Sequence, residues 1–295
     1  RSYSSSGNDD YATVKYASAA GTPLWVQTYN GTGNYYDYAN ALAVDAGGNV
    51  LVTGYAYNGS SNDYATVKYA SDGTPLWVQT YNGTGNGYDA AYALAVDANN
   101  NVLVTGRSRN SSGNDDYATM KYASDGTQLW ISDVVVESQR PERLSTSVGA
   151  RKMVVDAAGN TYVAGSGFNG RNDDYRVAKF DVAGTLVWSA TYNGTGNNTD
   201  VAYALAVDAS GNVLVTGYSY NSSGNYDYAT VKYASDGTQL WVQTYNGTGN
   251  NNDYAYALAV DASGNVLVTG NAYNGSSNDY ATVKYASDGT PLWVQ

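Results

Sequence analysis

The sequence predicts an all-β protein, and within that class a β-propeller of four-stranded antiparallel blades. One observation is an internal repeat of about 50 residues, marked by the tyrosines at positions 11, 64, 117, 175, 228 and 280. A second is that each repeat holds four short β-type runs separated by Gly, Asn, Asp and Ser. Four strands in a unit of this length, repeated along the chain, are typical of propeller blades.

Each run has the chemistry of a strand, as the last repeat (252–295) shows. AYALAVD alternates small Ala with larger side chains, which gives one small and one bulky face. NVLVTG, DYATVKYA and TPLWVQ combine β-branched and aromatic residues and are bounded by turn residues. The intervening DASGN and ASDGT segments are tight-turn sequences. Because apolar residues occupy both faces of AYALAVD and LWV, we expect both sheet faces to be buried against neighbouring blades.

The repeat boundaries predict a single propeller domain over residues 1–295. It consists of an N-terminal half repeat (1–30), supplying the third and fourth strands of a blade, and five full repeats at about 36–82, 88–131, 146–192, 199–245 and 252–295. We favour a ring of six blade positions; five blades plus a hairpin, or part of a larger ring, are the alternatives. Because Arg1 falls in mid-repeat, we expect a processed chain or a fragment.

Composition argues against several functional classes. The net charge of −11 disfavours a nucleic-acid partner, which needs clustered Lys and Arg. The absence of Cys and His removes thiol nucleophiles, imidazole bases and the commonest zinc ligands. No apolar run is long enough to span a membrane. The polar residues are mainly Asn, Ser, Thr, Gly and Tyr, a composition common in secreted bacterial β-proteins.

The strings DYATVKY, LWV, YNG and AVD–GNVLVTG resemble a bacterial propeller repeat of the seven-bladed (SBBP) type. This resemblance covers essentially the whole chain and implies a propeller fold and an extracellular or cell-surface location. It implies no activity, since members of the family mostly have none assigned. The chain departs from the family in holding too few repeats for seven blades.

Strand alternation predicts which end of the blades carries function. The two tight turns of each repeat share one end, whereas the longer loops, rich in Tyr, Asn and Gly, share the other. Loops on a rigid scaffold commonly bind ligands, and Tyr with Ser, Gly and Asn suits recognition. The candidate binding tyrosines in or beside these loops are Tyr35, Tyr36, Tyr55, Tyr57, Tyr218, Tyr220 and Tyr273.

One repeat breaks the pattern after Trp130, where ISDVVVESQRPERLSTSVGARKMVVD replaces the usual loop. Both glutamates of the protein, Glu137 and Glu142, lie in this segment together with Arg140 and Arg143. If the protein has a unique site, we expect it here. The two glutamates could serve as general acid and base, although the neighbouring arginines favour ionisation of both carboxyl groups.

Four repeated residue types each have a structural and a functional interpretation. We expect the tryptophans to pack between blades instead of stacking on a ligand. The lysines are expected to be solvated or paired with Asp, and not to bind a polyanion. The repeated aspartates are more typical of turn caps than of Ca²⁺ ligands. The Asn-Gly-Thr/Ser strings match a glycosylation acceptor but fit turns better.

The sequence therefore predicts a non-catalytic, secreted or cell-surface binding scaffold that needs no cofactor, with Ca²⁺ as the alternative. Its expected partner is a glycan or another protein, bound by the loop end of the blades. The first alternative is an assembly module that self-associates through the incomplete blade. The second is a carboxylate-based enzyme acting on glycosides at the divergent repeat.

Overall fold

In a computed structural model, residues 2–3, 7–18, 21–134 and 149–295 are described, and they form β-strands, turns and loops. Their contacts divide them into two compact units, Arg1–Val135 and Val136–Gln295. The all-β propeller prediction is confirmed. Among the described residues, no helix has the length and hydrophobicity needed to cross a membrane.

The first unit contains three antiparallel sheets, numbered here in chain order. Sheet 1 is three-stranded: β1 (Ser2–Tyr3), β2 (Asp9–Tyr16) and β3 (Pro23–Tyr29). Sheet 2 comprises β4 (Tyr38–Val44), β5 (Val50–Tyr57), β6 (Asn62–Tyr69) and β7 (Pro75–Tyr81). Sheet 3 comprises β8 (Ala90–Val96), β9 (Val102–Arg109), β10 (Asp115–Tyr122) and β11 (Gln128–Val134).

The second unit contains three four-stranded sheets of the same antiparallel order. Sheet 4 comprises β12 (Gly149–Val155), β13 (Thr161–Phe168), β14 (Asp173–Phe180) and β15 (Leu186–Tyr192). Sheet 5 comprises β16 (Asp200–Val207), β17 (Val213–Tyr220), β18 (Tyr226–Tyr233) and β19 (Gln239–Tyr245). Sheet 6 comprises β20 (Tyr254–Val260), β21 (Val266–Tyr273), β22 (Asn278–Tyr285) and β23 (Pro291–Val294).

Sheet 1 has one strand more than the predicted half repeat. β1 pairs with β2 through Ser2 opposite Asp10, the register that Ser219 and Asp227 show in sheet 5. The segment Ser2–Tyr3 is thus the end of a second strand. The sequence interpretation missed this strand because two residues are too few to show a strand pattern.

Burial follows strand position within a sheet. In sheets 2 to 5 the second and third strands are buried on both faces, as predicted, with Leu51 and Val67 almost inaccessible. In sheets 1 and 6 these strands are partly exposed. The fourth strands depart from the prediction, as Leu24 at 60% exposed shows, and so does the first strand of sheet 2, where Leu42 is 58% exposed. The first strands of sheets 3 and 5 are more buried. The exposure arises because the neighbouring sheets cover the middle of each sheet, whereas its two outer strands border solvent.

Consecutive sheets within a unit are joined by a recurring set of hydrogen bonds. In the second unit, Tyr175 donates its hydroxyl to the Ala229 carbonyl of the next sheet (3.1 Å), and Trp188 Nε1 donates to the Ser235 carbonyl (2.9 Å). The Trp188 ring also lies 6.2 Å from that of Tyr233. The same contacts recur from Tyr11 and Trp25, from Tyr64 and Trp77, and from Tyr228 and Trp241. At these junctions the prediction that tryptophans pack between blades is confirmed.

The repeated lysines join this junction and pair with Asp. Lys68 Nζ lies 2.9 Å from Asp45 Oδ2 and also donates to the Ser124 carbonyl of the next sheet (3.0 Å). Both side chains are buried. Burial alone would raise the pKa of Asp45, but hydrogen bonds from Asn49 and Lys68 lower it below its usual value. The predicted pairing with Asp is confirmed here, and Asp45 also caps its turn by accepting from Gly47 and Asn49.

The Asn-Gly turns fall into two types, which refines the sequence interpretation. In one type the glycine is left-handed, as in Gly59 (φ 104°). In the other, exemplified by Asn30-Gly31, the left-handed residue is Asn34 (φ 49°). There a Cβ on Gly31 would stand 2.7 Å from the Tyr57 carbonyl, so close approach is what requires glycine.

The tight packing of Trp188 against the next sheet can be tested with Gly237→Ala. A Cβ on Gly237 would meet Trp188 Cδ2 at 2.8 Å, and the residue has φ 90°. We expect a loss of unfolding free energy of about 2–4 kcal/mol, from overpacking plus backbone strain, measured by chemical denaturation. The matched control is Gly211→Ala, since Gly211 has φ 77° but its nearest neighbour would be Ser235 Cβ at 3.6 Å. Equal losses for the two variants would contradict the packing explanation.

Candidate functional site

Six tyrosines in the first unit lie together at the loop end of sheet 2. This first tyrosine cluster consists of Tyr35, Tyr36, Tyr38, Tyr55, Tyr57 and Tyr88. Its members begin the first strand, end the second strand, or belong to the loops before a first strand. Strand register places them side by side, because Tyr38 lies opposite Tyr55, and Tyr57 opposite Asn62.

The rings of the first tyrosine cluster form a continuous aromatic path. Tyr35 contacts Tyr36 edge-on (4.6 Å between centroids) and Tyr57 (5.5 Å). Tyr38 and Tyr55 are 5.0 Å apart, and Tyr55 lies 5.4 Å from Tyr88. At the far end the guanidinium of Arg107 lies 5.3 Å above the Tyr88 ring. Aromatic pairs prefer tilted and edge-on arrangements of this kind, and these arrangements leave ring faces available to a ligand.

These rings surround an open cleft of about 500 Å³, lined by Asn62 and by five tyrosines of the cluster: Tyr35, Tyr36, Tyr38, Tyr55 and Tyr57. Tyr35 is 54% exposed, and Tyr36 is also exposed, whereas Tyr38, Tyr55 and Tyr57 are half-buried. The cleft therefore offers ring faces, phenol hydroxyls and one amide to a ligand, but no carboxylate among its lining residues.

A buried aspartate supports the cleft from below. Asp37 is inaccessible and accepts hydrogen bonds from the backbone nitrogens of Gly31 (2.6 Å) and Tyr57 (2.9 Å). It thereby ties the loop before β4 to the end of β5. Burial raises the pKa of Asp37, and the two backbone donors partly oppose that effect. The equivalent residues are Asp89, Asp200 and Asp253, which accept from the corresponding backbone groups.

A second tyrosine cluster lies in the second unit between sheets 5 and 6. It consists of Tyr203, Tyr218, Tyr220, Tyr226, Tyr254 and Tyr256. Tyr218 is central, with the rings of Tyr226 and Tyr254 each 4.9 Å away and edge-on. Burial raises the pKa of Tyr218, and its tyrosine neighbours raise it further. The rings thus pack on one another, and Tyr256 at the edge of the cluster is half exposed.

The predicted site residues are distributed over these features. Tyr35, Tyr36, Tyr55 and Tyr57 come together in the first cluster, and Tyr218 and Tyr220 in the second. Tyr273 lies elsewhere: it lines a smaller cleft of about 180 Å³ with Tyr245 and Asn274. Glu137, Arg140, Glu142 and Arg143 fall outside the described residues. That any of these side chains binds a ligand stays a prediction.

Sequence reasoning missed six further tyrosines of the two clusters. Four of them lie in first strands: Tyr38, Tyr203, Tyr254 and Tyr256. The other two are Tyr88, which precedes the first strand of sheet 3, and Tyr226, which begins the third strand of sheet 5. The bulky face of AYALAVD was the available signal, because its tyrosine points away from the alanine face. Within the described ranges, no group of three or more acidic residues could hold a metal ion. The repeated aspartates there cap turns, pair with Lys or bind loop backbone.

The raised pKa of Asp200, one of the buried loop aspartates, predicts a measurable pH dependence of the free energy of unfolding. Burial raises its pKa to about 6, although Ser219 and the backbone of Gly194 and Tyr220 oppose the effect. A carboxyl whose folded pKa is raised binds protons more readily in the folded state. Its protonation therefore adds stability as the pH falls from 6 towards 3.8, and the contribution is lost above 6. The Asp200→Asn variant lacks this titration. As the pH falls from 6 towards 3.8, the free energy of unfolding of the wild type should therefore rise relative to that of the variant.

Urea denaturation at a series of pH values measures this difference. Asp236→Asn is the matched control, because hydrogen bonds from Thr238 lower the pKa of the exposed Asp236. For Asp236 the sign is opposite: the wild type should lose stability relative to the variant as the pH falls. A stability difference between wild type and Asp200→Asn that is flat from pH 6 to 3.8 would contradict the raised pKa.

Comparison with known proteins identifies the fold. Residues 48–75, 209–239 and 262–291 match the family described as "Domain of unknown function (DUF5122) beta-propeller". Among the curated proteins, none matches this sequence.

Solved structures share the fold at low sequence identity. The chain is similar to a structure of Sqt1 from Chaetomium thermophilum (14% identity, TM-score 0.51), with 88% of this chain and 61% of that one covered. It is also similar to a eukaryotic initiation factor (12% identity, TM-score 0.50, 92% and 60% covered). The chain thus spans about three fifths of the length of both. At these identities the likeness shows the fold alone, and with the family match it establishes that this chain is built of β-propeller repeats.

Proposed function

We propose that the protein is a non-catalytic binding scaffold, and that the first tyrosine cluster binds a glycan. The observation that carries this proposal is the open cleft of about 500 Å³ lined by five tyrosines and Asn62. Its volume lies within the range of small-molecule sites, and its lining is mainly aromatic with a few polar groups. Sugar rings stack their C–H faces on tyrosine, while phenol hydroxyls and an amide suit sugar hydroxyls.

The support beneath the cleft also favours binding. Tyr57 and the loop carrying Tyr35 and Tyr36 are both tied to the buried Asp37. The Tyr57 hydroxyl donates to the Gly59 carbonyl (3.0 Å), which orients its ring. Aromatic side chains held in this way lose little entropy when a ligand binds. A preorganised ring surface is therefore available before any ligand arrives.

A protein partner is the second candidate. The loop end combines tyrosines with Ser, Gly and Asn, the mixture that antibody binding loops use for protein surfaces. An enzyme centred on Glu137 and Glu142 is the third candidate, and it rests on residues outside the described ranges. The glycan proposal is preferred because the aromatic rings line a concave cleft instead of a flat surface.

We further propose an extracellular or cell-surface location and membership of the SBBP-type propeller repeats. Support comes from the resemblance of the repeat strings, the low content of charged residues, and polar residues that are mainly Asn, Ser, Thr, Gly and Tyr. Cell fractionation with an antibody against this chain tests the location. Recovery in the cytosolic fraction alone would contradict it.

Glycan binding is tested by calorimetry with a panel of neutral oligosaccharides and with the variants Tyr35→Ala and Tyr36→Ala. Both tyrosines are exposed, so their removal should leave the fold intact. We expect each variant to weaken the best oligosaccharide by roughly 10-fold, the loss of one stacking contact. The matched control is Tyr280→Ala, which removes a 94% exposed tyrosine outside both clusters and should leave binding unchanged. No binding across the panel, or equal binding by all variants, would contradict the proposal.

A further inference from the structure

A polar cleft of about 500 Å³ lies at the turn end of the junction between sheets 5 and 6. The first turn of sheet 5 lines one side of it through Ala209. The first turn of sheet 6 lines the other side through Gly264, and the second turn of sheet 6 contributes Asp288. Lys232 and Leu240 complete the part of the cleft that concerns binding. The tight turns and the tyrosine-bearing loops lie at opposite ends of the strands, so this cleft is separate from both tyrosine clusters.

The junction between sheets 2 and 3 shows which chemical group fits between two such turns. There Asn100, in the first turn of sheet 3, accepts a hydrogen bond through its side-chain oxygen from the Ala46 nitrogen of sheet 2 (3.0 Å). Asn100 has a left-handed backbone (φ 61°). Its carboxamide thus bridges the first turns of the two sheets.

Sheets 5 and 6 have the same framework without that side chain. Ala209 is the equivalent of Ala46, and Gly264 (φ 78°) is the equivalent of Asn100. Other nitrogens of the sheet 5 turn donate to Asp208, but among the described residues nothing accepts from the Ala209 nitrogen. The donor that Asn100 satisfies in the first unit is therefore available to a ligand in the second.

The other groups in the cleft favour a neutral ligand. Lys232 is already paired with Asp208 at 3.0 Å, so its positive charge is compensated. Asp288 is exposed, and hydrogen bonds from Thr290 lower its pKa, so it carries a negative charge. This charge disfavours an anion, whereas a carboxylate readily accepts from an amide N–H. Leu240 is 51% exposed and offers an apolar surface to the rest of the ligand.

We propose that this cleft binds a small molecule that carries a neutral carboxamide. The carboxamide oxygen accepts from the Ala209 nitrogen, its N–H donates to Asp288, and its substituent packs on Leu240. A volume of about 500 Å³ leaves room for a substituent larger than an asparagine side chain. The site shares no residue with the first tyrosine cluster, so it goes beyond glycan binding, and either proposal can fail without the other.

Sheets 4 and 5 meet in a different arrangement, although Gly211 occupies the position of Asn100 there as well. Tyr162 donates its hydroxyl to Asp156 (3.0 Å), and Lys179 Nζ lies 5.3 Å from the centre of the Tyr162 ring. The lysine of that junction therefore contacts an aromatic ring, whereas Lys232 contacts a carboxylate. The chemistry of the cleft between sheets 5 and 6 is thus not repeated there.

An NMR titration with acetamide tests the inference, because acetamide is the isolated end of an asparagine side chain. The protein is labelled with ¹⁵N-alanine, and Ala209→Gly identifies the amide signal of Ala209. We expect acetamide to shift that signal in a saturable manner, with a dissociation constant in the millimolar range that so small a ligand allows. Acetate, the charged isostere, should bind roughly 3-fold more weakly.

Two variants exchange the properties of the two clefts. Gly264→Asn supplies the side chain that Asn100 has, and it should weaken acetamide binding at Ala209 by at least roughly 10-fold. Asn100→Gly removes that side chain and should create an acetamide-dependent shift at Ala46. Glycine and asparagine both tolerate a left-handed backbone, so both variants should keep the fold. An Ala46 signal that stays unmoved in Asn100→Gly would contradict the inference.

Gly211→Asn is the matched control, because it places the same side chain one repeat earlier. A Cβ on Gly211 would stand 3.6 Å from Ser235 Cβ, and one on Gly264 would stand 3.5 Å from Ser287 Cβ, so the two positions are equally spacious. The control should leave the response of Ala209 to acetamide unchanged. The inference would be overturned by a wild type whose Ala209 signal does not respond, by equal responses of the wild type and Gly264→Asn, or by acetate binding as tight as that of acetamide.

Discussion

The structure depends on one hydrogen-bonded junction that is made again between successive sheets of each unit. Strand pairing holds each sheet together, but it does not connect one sheet to the next. Apolar packing between sheets is non-directional and would tolerate sliding. The Tyr175 hydroxyl, Trp188 Nε1 and Lys179 Nζ all donate to main-chain carbonyls of the next sheet, which fixes the two sheets in register. Because the acceptors are backbone atoms, the contact does not depend on the side chains at those positions.

The repeat uses aspartate in two opposite electrostatic environments. At the turn end, Asp208 pairs with Lys232 at 3.0 Å, and its pKa is lowered because hydrogen bonds from Asn212 and Lys232 outweigh burial. At the loop end, Asp200 is buried against backbone donors, and its pKa is raised to about 6. Asp208 is thus a fixed anion of the sheet junction. The pKa of Asp200 lies where modest acidification changes its charge. Asp200 itself lies directly under the loops that carry the tyrosines.

The strands and turns could be predicted because their signals are local. Val-rich alternation and Gly-containing turns in each repeat define four strands, and the repeat multiplies the signal. Two residues such as Ser2–Tyr3 carry too little pattern, so β1 was missed. The exposure of Leu24 and Leu42 was also missed, because it depends on which strand lies at a sheet border.

The candidate site was predictable only in part, because its members belong to different repeats. Tyr35 and Tyr57 stand out in their loops, but the approach of Tyr88 to Tyr55 depends on how sheets 2 and 3 pack. Tyr273 looked equivalent to Tyr57. However, the second-strand position of Tyr55 is occupied in sheet 6 by Asn271, so the corresponding pair there is Tyr254 opposite Asn271.

The inter-sheet junction explains a further property of the chain. Each junction takes its donors from one repeat and its acceptors from the next, and every repeat carries both halves. Gene recombination that removes or duplicates a whole repeat therefore leaves the remaining junctions chemically unchanged. A substitution at Trp188 or Gly237, in contrast, must be tolerated by two repeats at once. Repeat number can thus change without altering these hydrogen bonds, whereas Trp188 and Gly237, which pack against each other across the junction, are constrained to change together.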